Sequence, residues 1–261
     1  MLKIAIITQE DAFVIPRNVE MLLKQNDIEA VVIYSLNAKG SFKNKYVLFL
    51  KGFGFGQSVK MGIKIIVAKL YNICDRICCG YLPGNKSSIK TVALKYRIPY
   101  REIKQLNTQQ FYDDLKSLDL DLIVSFSAPC IFSPELLKIP RNGCINLHCS
   151  LLPNYAGVLP SFWTLYHGER ETGATVHFMD DKIDNGKILS QIKIDISDCH
   201  SMFQVIWKTK KIGGQLMIDV IEQIRNGNID PKPNDVSLGS YFTWPTIEQI
   251  REFRKHGGRL I

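Results

Sequence analysis

The sequence predicts an α/β fold with a mostly parallel, twisted sheet flanked by helices. An apolar run of strand length covers 2–8, a helical pattern covers 14–26, and a second apolar run covers 29–35. A strand, a helix and a strand in close succession are typical of a βαβ unit, whose two strands are parallel. With 261 residues, 46% of them hydrophobic, the chain is long enough for one large domain with a sizeable core.

The same rhythm continues along the chain. We predict that Asn107 caps one helix and that Ser133 caps a short helix that ends at Pro140. Alternation in 187–194 is typical of a half-exposed antiparallel strand. Further strands are predicted at 99–103, 120–126, 143–148 and 175–178, and further helices at 88–96, 108–117, 200–226 and 246–255. We therefore expect a main domain over 1–199 and a short C-terminal helix and tail over 200–261.

Residues 41–82 interrupt this rhythm with an apolar stretch that is rich in lysine. Gly52, Gly54 and Gly56 have the spacing GxGxG rather than GxGxxG, and they do not follow the first strand, which disfavours a dinucleotide site. An amphipathic helix is predicted near 57–71. Two interpretations stay open, in which this helix packs on the domain or contacts a partner or membrane surface.

The charge and the cysteine content indicate which binding partners and which cellular compartment to expect. The net charge of +8 favours anionic partners, but the basic residues are dispersed, which disfavours stable nucleic-acid binding. The seven cysteines show no disulfide framework, and Cys74, Cys78 and Cys79 have no nearby histidine, so we interpret them as structural thiols. Neither a signal peptide nor a transmembrane stretch is visible, so we expect a cytoplasmic protein.

The stretch INLHCSLLPNYAG at 145–157 contains the strongest functional signal. Asn146 and His148 are two residues apart in a predicted strand, so their side chains point to the same face. They lie at the carboxyl end of that strand, where sites form in open α/β sheets. A histidine can exchange protons near neutral pH, and an amide can donate to a developing oxyanion. Pro153 and Gly157 predict a stiff loop beside them.

A carboxylate to accompany this pair is predicted in the stretch MDDKIDNGKIL at 179–189. Asp184 precedes Asn185-Gly186, a strong turn pair that would fix its position. An Asn, a His and an Asp together suit acyl transfer to an amine. Cys149 is expected to point to the opposite face of the strand, which disfavours a cysteine nucleophile. From these residues alone, Asn146 and His148 could equally be satisfied polar groups of the core.

The stretches NLHCSLLPNYAG and HGERETGATVHFMDDKIDNGKIL together resemble the folate-dependent formyltransferase family. That family includes glycinamide ribonucleotide, methionyl-tRNA and amino-sugar formyltransferases. The likeness is strong over 110–200 and weak in the N-terminal half. It implies a Rossmann-like catalytic domain over 1–199, 10-formyltetrahydrofolate as co-substrate, and no metal. It also implies that Asn146, His148 and Asp184 are catalytic.

The resemblance also implies where the folate would bind. In the family, the loop after the strand that precedes the Asn-x-His strand contacts the folate, mostly through backbone groups. The loop before the catalytic aspartate lines the pterin. The corresponding residues here are Phe126, Ser127, Pro129, Cys130, Ile131 and Phe132 in the first loop, and Asp180, Asp181 and Ile183 in the second.

Departures from the family pattern point to the substrate. The segment TQEDAFVIPRN contains no glycine, which disfavours the phosphate loop of glycinamide ribonucleotide enzymes. The sequence after Asp198 predicts a long helix and a tail rather than the tRNA-binding barrel of methionyl-tRNA enzymes. Trp163 and the C-terminal stretch look similar to amino-sugar N-formyltransferases of surface-polysaccharide pathways. We therefore expect a nucleotide-diphosphate-linked deoxyamino sugar, which is doubly anionic, as substrate.

Several alternatives stay open at this stage. Another amine could be formylated, in methionyl-tRNA, glycinamide ribonucleotide or a peptide, or the chain could be a non-catalytic binder of folate or a sugar nucleotide. Arg17 could be a surface charge and Trp163 a core aromatic, and we interpret His177 as structural. A homodimer is left open. The predicted substrate contacts are Gln9, Arg17, Ser150, Tyr155 and Trp163.

Overall fold

A seven-stranded sheet forms the centre of the molecule, in the order β3-β2-β1-β4-β5-β7-β8. The computed structural model describes residues 1–36, 42–127 and 130–261, with the backbone only for 42–46. Strands β1 to β5 pair in parallel, and β7 and β8 add antiparallel partners at one edge. The predicted α/β fold with a mostly parallel, Rossmann-like sheet is therefore confirmed. Its strands are β1 (Leu2–Thr8), β2 (Ile28–Leu36), β3 (Tyr100–Ile103), β4 (Leu122–Phe126), β5 (Cys144–His148), β7 (Glu171–Phe178) and β8 (Ile188–Asp195).

Helices cover both faces of the sheet, and β1 shows why. Ile4 and Ile6 point into one hydrophobic cluster, whereas Ala5 and Ile7 point into the other. A strand that is apolar on both sides is buried only if helices lie above and below it. One face packs against α1, α4 and α8, and the other packs against α5 and α6. The helices are α1 (Ile15–Leu23), α2 (Phe42–Phe53), α3 (Phe55–Ile77), α4 (Ile89–Tyr96), α5 (Gln109–Ser117), α6 (Pro134–Leu137), α7 (Pro160–Tyr166), α8 (Met202–Arg225) and α9 (Ile247–Lys255).

A smaller aromatic cluster joins the C-terminal region to the rest of the chain. It contains Phe53 of α2, Phe162 and Trp163 of α7, and Phe253 of α9, all of them buried. Beside it, β6 (Ala156–Gly157) pairs in parallel with β9 (Tyr241–Phe242). The C-terminal segment therefore closes over the loop that follows β5.

Three local expectations need correction. The helix predicted near 57–71 spans Phe55–Ile77 and is preceded by a further helix, α2. The strand predicted from 175 begins at Glu171, because it pairs along its whole length with β8. Asn107 does not cap α5. Thr108 does so, since its hydroxyl accepts a hydrogen bond from the Phe111 amide at 3.3 Å.

Within the part of the chain that the structure describes, no helix combines the length and the apolar character needed to cross a bilayer.

Candidate active site

The candidate site forms where the sheet changes from parallel to antiparallel. Strand β5 pairs in parallel with β4 on one side and antiparallel with β7 on the other. This register sets Asn146 directly opposite His177, and His148 opposite Thr175. The Asn146 side-chain nitrogen lies 3.3 Å from His177 Nε2. As predicted from their spacing, Asn146 and His148 contribute to one polar group, and β7 adds a second histidine to it.

His148 is held by oxygen atoms on both of its ring nitrogens. Its Nε2 donates to the backbone oxygen of Tyr155 at 2.9 Å, since a carbonyl can only accept. Its Nδ1 lies 3.3 Å from Asp184 Oδ2. The side chains of His148 and Asp184 are 7% and 9% exposed, so the pair is largely shielded from solvent. The predicted His–Asp association is present in the structure.

Asp184 is fixed by the loop between β7 and β8. Its backbone has φ 49°, and its carboxylate accepts a hydrogen bond from the Gly157 amide at 2.8 Å. Burial alone would raise the pKa of this carboxyl. The nearby His148 and His177 and the Gly157 amide outweigh burial and lower the pKa to about 2. Asp184 is therefore ionised throughout the physiological pH range.

The loop that carries Asp184 is held by hydrogen bonds from the C-terminal segment and by hydrogen bonds within the loop. The Asn234 side chain donates to the backbone oxygen atoms of Asp184 and Gly186, at 2.8 and 3.3 Å. Within the loop, the Asp180 carboxylate accepts from the Lys182 amide at 3.0 Å. A carboxylate mounted on such a loop has little freedom to move, which suits a group that must orient a histidine.

His177 is the residue whose contribution the sequence analysis missed. We interpreted it as structural, but its Nε2 lies beside the Asn146 amide and 3.6 Å from Asp184 Oδ1. Its Nδ1 donates to the backbone oxygen of Phe178 at 2.7 Å. The signal available in the sequence was the alternation of TVHF, but that pattern does not reveal which strand lies opposite. The pairing of β5 with β7 supplies that information.

One buried polar atom in the site has no hydrogen-bond partner among the described residues. It is Asn146 Oδ1, although the rest of the side-chain amide contacts His177. An unpaired buried acceptor is costly, so such an atom calls for a partner such as a ligand or an ordered water. The site therefore brings together an unpaired acceptor, an amide donor, an imidazole and a carboxylate.

The predicted folate loop follows β4, as expected, but its residues differ in exposure. Phe126 and Phe132 are 2% and 0% exposed and belong to the hydrophobic clusters, so their side chains are not available to a ligand. The Phe126 backbone oxygen accepts a hydrogen bond from the Thr8 hydroxyl at 2.6 Å. Ile131 is 45% exposed. Ser127 has φ 58° and its hydroxyl accepts a hydrogen bond from a lysine of α8. Pro129 lies outside the described residues.

The remaining residues predicted for the folate are half-buried or exposed. Cys130 is half-buried, and burial raises the pKa of its thiol to about 11. Asp181 and Ile183 are exposed, whereas Asp180 is half-buried and orders its own loop. All four lie on the loops that flank β5 and β7. Their contact with folate stays a prediction.

The residues predicted to bind substrate do not form one group. Trp163 is 5% exposed and donates to the Thr243 backbone oxygen at 3.0 Å, which makes it a core aromatic in this conformation. Ser150 is fully buried and donates to a backbone oxygen of its own loop. Gln9 and Arg17 are half-buried beside the carboxyl end of β1, and Tyr155 presents its backbone oxygen to the site.

Acidic side chains occupy the helix N-termini that face the carboxyl end of β1. Asp11 Oδ1 accepts from the amides of Phe13 and Val14, at 2.7 and 2.6 Å. The Glu10 carboxylate accepts from two backbone amides at the start of α4, at 3.1 Å each. These amides would otherwise be available to a phosphate group. In the glycine-free segment after β1, the carboxylates of Asp11 and Glu10 therefore occupy the positions at the helix N-termini where a phosphate could bind.

Neither a cysteine nucleophile nor a metal centre is supported by the described side chains. Burial raises the pKa of the Cys149 thiol, which keeps it protonated. Within residues 1–36, 42–127 and 130–261, no cluster of three or more potential ligands is arranged to hold a metal ion.

The chain is similar in sequence to known proteins. The family model described as formyl transferase matches residues 76–221. The methionyl-tRNA formyltransferase of Thermodesulfovibrio yellowstonii is 39% identical over 145 residues, which are 56% of this chain and 47% of that protein. The corresponding protein of a Cyanothece species is 36% identical over 155 residues, 59% of this chain and 46% of that protein. The chain thus spans about half the length of the curated relatives it matches.

Solved structures share the fold at low sequence identity. A glycinamide ribonucleotide transformylase from Symbiobacterium toebii has a TM-score of 0.63 and 14% identity, with 90% of this chain and 95% of that chain covered. A sugar N-formyltransferase from a Shewanella species has a TM-score of 0.59 and 16% identity, with 93% and 77% covered. An N-formyltransferase from Helicobacter canadensis has a TM-score of 0.60 and 16% identity, with 97% and 79% covered. Since the family model covers more than half of the chain, this protein belongs to the formyl transferase family.

Proposed function

We propose that this protein transfers a formyl group from 10-formyltetrahydrofolate to the amine of a nucleotide-diphosphate-linked deoxyamino sugar, for surface-polysaccharide biosynthesis. The formyl-transfer part of this proposal is based on one observation. An amide with an unpaired acceptor, a histidine and an ionised carboxylate meet at the carboxyl end of β5. Each of these groups matches one requirement of acyl transfer to an amine.

The roles follow from the contacts. When bound, 10-formyltetrahydrofolate supplies an activated formyl carbonyl. One N–H of the Asn146 amide faces His177, and the second donates to the formyl oxygen as negative charge develops on it. Asn146 Oδ1 accepts an N–H of the attacking amine. As the amine nitrogen bonds to the formyl carbon, His148 takes up the proton that the amine loses, and Asp184, 3.3 Å away, balances the resulting positive charge. The bond between the formyl carbon and the folate nitrogen then breaks, and that nitrogen takes the proton from His148, which leaves tetrahydrofolate and the formylated amine.

The loops predicted to hold the folate flank this group on both sides. In the loop after β4, the aromatic side chains at the two ends are buried, whereas the Ile131 side chain is 45% exposed. Asp180 and Ile183 lie on the loop that also carries Asp184. We infer that a folate would lie between the two loops, with its formyl group toward Asn146.

Charge supports an anionic substrate. Cations gather on α1 and α8 near the carboxyl ends of β1 and β4. Arg17 lies over the Trp207 ring at 5.3 Å, Lys211 lies over the same ring at 5.1 Å, and Lys210 donates to the Ser127 hydroxyl at 3.2 Å. The net charge of +8 agrees with this preference. A nucleoside diphosphate sugar would bring two negative charges to these side chains.

A sugar substrate is also compatible with the fold and with the region after β1. The Helicobacter canadensis protein, which shares this fold, is described in complex with folinic acid and dTDP-3-aminofucose. A phosphate at the helix N-termini that follow β1 would have to displace Asp11 and Glu10. This disfavours glycinamide ribonucleotide bound through such a phosphate loop.

A second candidate substrate is methionyl-tRNA, which the names of the curated relatives favour. The match covers about half of each relative's length, so it supports formyl transfer more directly than the choice of acceptor. Both acceptors therefore belong in the same assay.

The test mixes purified protein and 10-formyltetrahydrofolate with uridine- and thymidine-diphosphate 3-amino and 4-amino sugars, methionyl-tRNA and glycinamide ribonucleotide. Mass spectrometry then detects the gain of one formyl group. We expect a formylated nucleotide sugar. Formylation of methionyl-tRNA alone would refute the sugar proposal and keep the reaction, whereas no product on any amine would refute the reaction.

Substitution of the two β5 residues tests the site itself. We expect Asn146→Ala and His148→Ala each to lower kcat by roughly 10²–10⁴-fold, as the loss of an oxyanion donor or a general base does. Lys116→Ala on the exposed side of α5 is the matched control and should retain full activity. Full activity in both β5 variants would remove these residues from the mechanism.

A further inference from the structure

Helix α3 carries a continuous row of apolar side chains that faces solvent. Along its 23 residues, these side chains are between 41% and 79% exposed, which is unusual for large aliphatic and aromatic groups. We call this row the outer stripe. It consists of Phe55, Val59, Ile63, Ile66, Val67, Leu70, Ile73 and Ile77.

Helix geometry places the outer stripe on one side. With about 100° between successive residues, its eight members fall within a sector of about 120°. Residues on the opposite side, such as Met61 and Ala68, are half-buried against the domain. Over 23 residues, the stripe is about 35 Å long. The helix is therefore apolar on two opposite sides, and the residues that the structure describes cover only one of them.

The inner side of α3 is fixed by polar contacts, so the helix cannot simply roll to bury its outer stripe. Asp75 and Lys86 form an ion pair at 2.9 Å, with side chains that are only 1% and 3% exposed. One turn earlier, Asn72 accepts a hydrogen bond from the Thr91 hydroxyl at 2.7 Å. Rotation would break a buried ion pair, which is strongly unfavourable. The outward direction of the stripe is thus a property of the folded chain.

Cations lie on both sides of the outer stripe. Lys60 lies along one edge, and Lys69 and Arg76 lie along the other. Lys64 follows Lys60 farther from the stripe, where its ammonium lies over the Phe203 ring at 4.1 Å. The sole acidic residue of α3 is Asp75, which faces inward. An apolar strip between two rows of basic side chains is the pattern of helices that lie in the headgroup region of a membrane.

We propose that the outer stripe of α3 is a docking surface for an anionic lipid bilayer. The apolar side chains would enter the boundary between headgroups and acyl chains, and Lys60, Lys69 and Arg76 would contact the lipid phosphates. A second copy of this chain fits less well, because two α3 helices packed along their stripes would bring the basic rows of both together. The proposal does not depend on formyl transfer and goes beyond it.

Vesicle flotation tests this proposal with the full chain. The probes are vesicles of phosphatidylcholine mixed with phosphatidylglycerol, and vesicles of phosphatidylcholine alone. We expect wild-type protein to float with the anionic vesicles. The double variant Ile66→Glu/Ile73→Glu places charges in the stripe and should lower the partition coefficient at least about tenfold. Leu238→Glu, at a residue 77% exposed outside α3, is the matched control and should bind normally.

A second pair of substitutions tests the charge. Lys60→Glu/Lys69→Glu leaves the stripe intact and should weaken binding to anionic vesicles about tenfold or more, with a smaller effect of added salt than in the wild type. Circular dichroism checks that each variant is folded. Absence of wild-type flotation with anionic vesicles would overturn the proposal. It would also be overturned by a vesicle-free dimer that Ile66→Glu/Ile73→Glu dissociates, which would assign the stripe to a second copy.

Discussion

Replacement of Asp184 by Asn would remove the negative charge at the centre of the candidate site and keep its shape. The carboxylate lies 3.3 Å from His148 Nδ1 and 3.6 Å from His177 Nε2, and it accepts a hydrogen bond from the Gly157 amide. Because the side chain is 9% exposed, solvent screens these contacts only slightly. We expect the substitution to reveal itself in how stability depends on pH.

The size of the effect follows from the pKa of Asp184. This pKa is lowered from 3.8 to about 2 in the folded protein. A difference of about 1.8 units at 1.36 kcal/mol per unit corresponds to about 2 kcal/mol. Since the folded-state pKa is the lower one, this stabilisation is fully present above pH 4. It is lost as the pH falls through about 4 toward about 2.

Urea unfolding of the wild type and of Asp184→Asn at pH 5 and pH 3 measures this contribution. We expect the difference in unfolding free energy between the two proteins to shrink by about 1 kcal/mol over that interval. Asp181→Asn, in the same loop but exposed, is the control, and should differ from wild type by less than about 0.5 kcal/mol.

A difference that stays constant from pH 5 to pH 3 would refute the reasoning, because the carboxylate would then be no better stabilised in the folded protein than in the unfolded chain. A difference that grows as the pH falls would mean that the pKa of Asp184 is raised, rather than lowered, in the folded protein. Either result would also weaken the proposal that Asp184 balances a charge on His148.

Two further substitutions test single contacts. Lys86→Met leaves Asp75 buried without its cation, and should lower the free energy of unfolding by about 3 kcal/mol, measured by urea titration at pH 7. An unchanged midpoint would contradict a buried ion pair at this position. His177→Gln removes the imidazole that contacts the Asn146 amide, and should lower kcat by about 10- to 100-fold with a smaller change in KM. An equal change in both constants in steady-state assays would argue against a positioning role.

Much of the fold could be predicted from local pattern. Strands that are buried on both faces, such as 2–8 and 120–126, are continuous apolar runs and were located almost to the residue. The two-residue strands β6 and β9 were not predicted, because a pairing of that length has no periodicity. The caps of α5 were confused because Asn107 and Thr108 are adjacent and both can accept from helix amides. Asn107 instead binds Ile131 and Ser133.

Only part of the candidate site could be predicted from the sequence, because only part of it depends on local patterns. The spacing of Asn146 and His148 follows from strand alternation, which is local, and the turn pair after Asp184 is local too. The contribution of His177 depends on which strand pairs with β5, which no local pattern contains. Burial of Trp163 against the tail likewise depends on how distant segments close over one another.

The loop after β5 contributes to the site through the backbone groups that it supplies. Tyr155 offers its carbonyl to His148, and Gly157 offers its amide to Asp184. Both residues have positive φ, 56° and 94°, and a Cβ at Gly157 would overlap the backbone oxygen of Phe242. One loop therefore orients both members of the His–Asp pair through main-chain atoms. The pair depends on the shape of this loop as much as on its own side chains, which explains why proline and glycine closely follow the Asn-x-His strand.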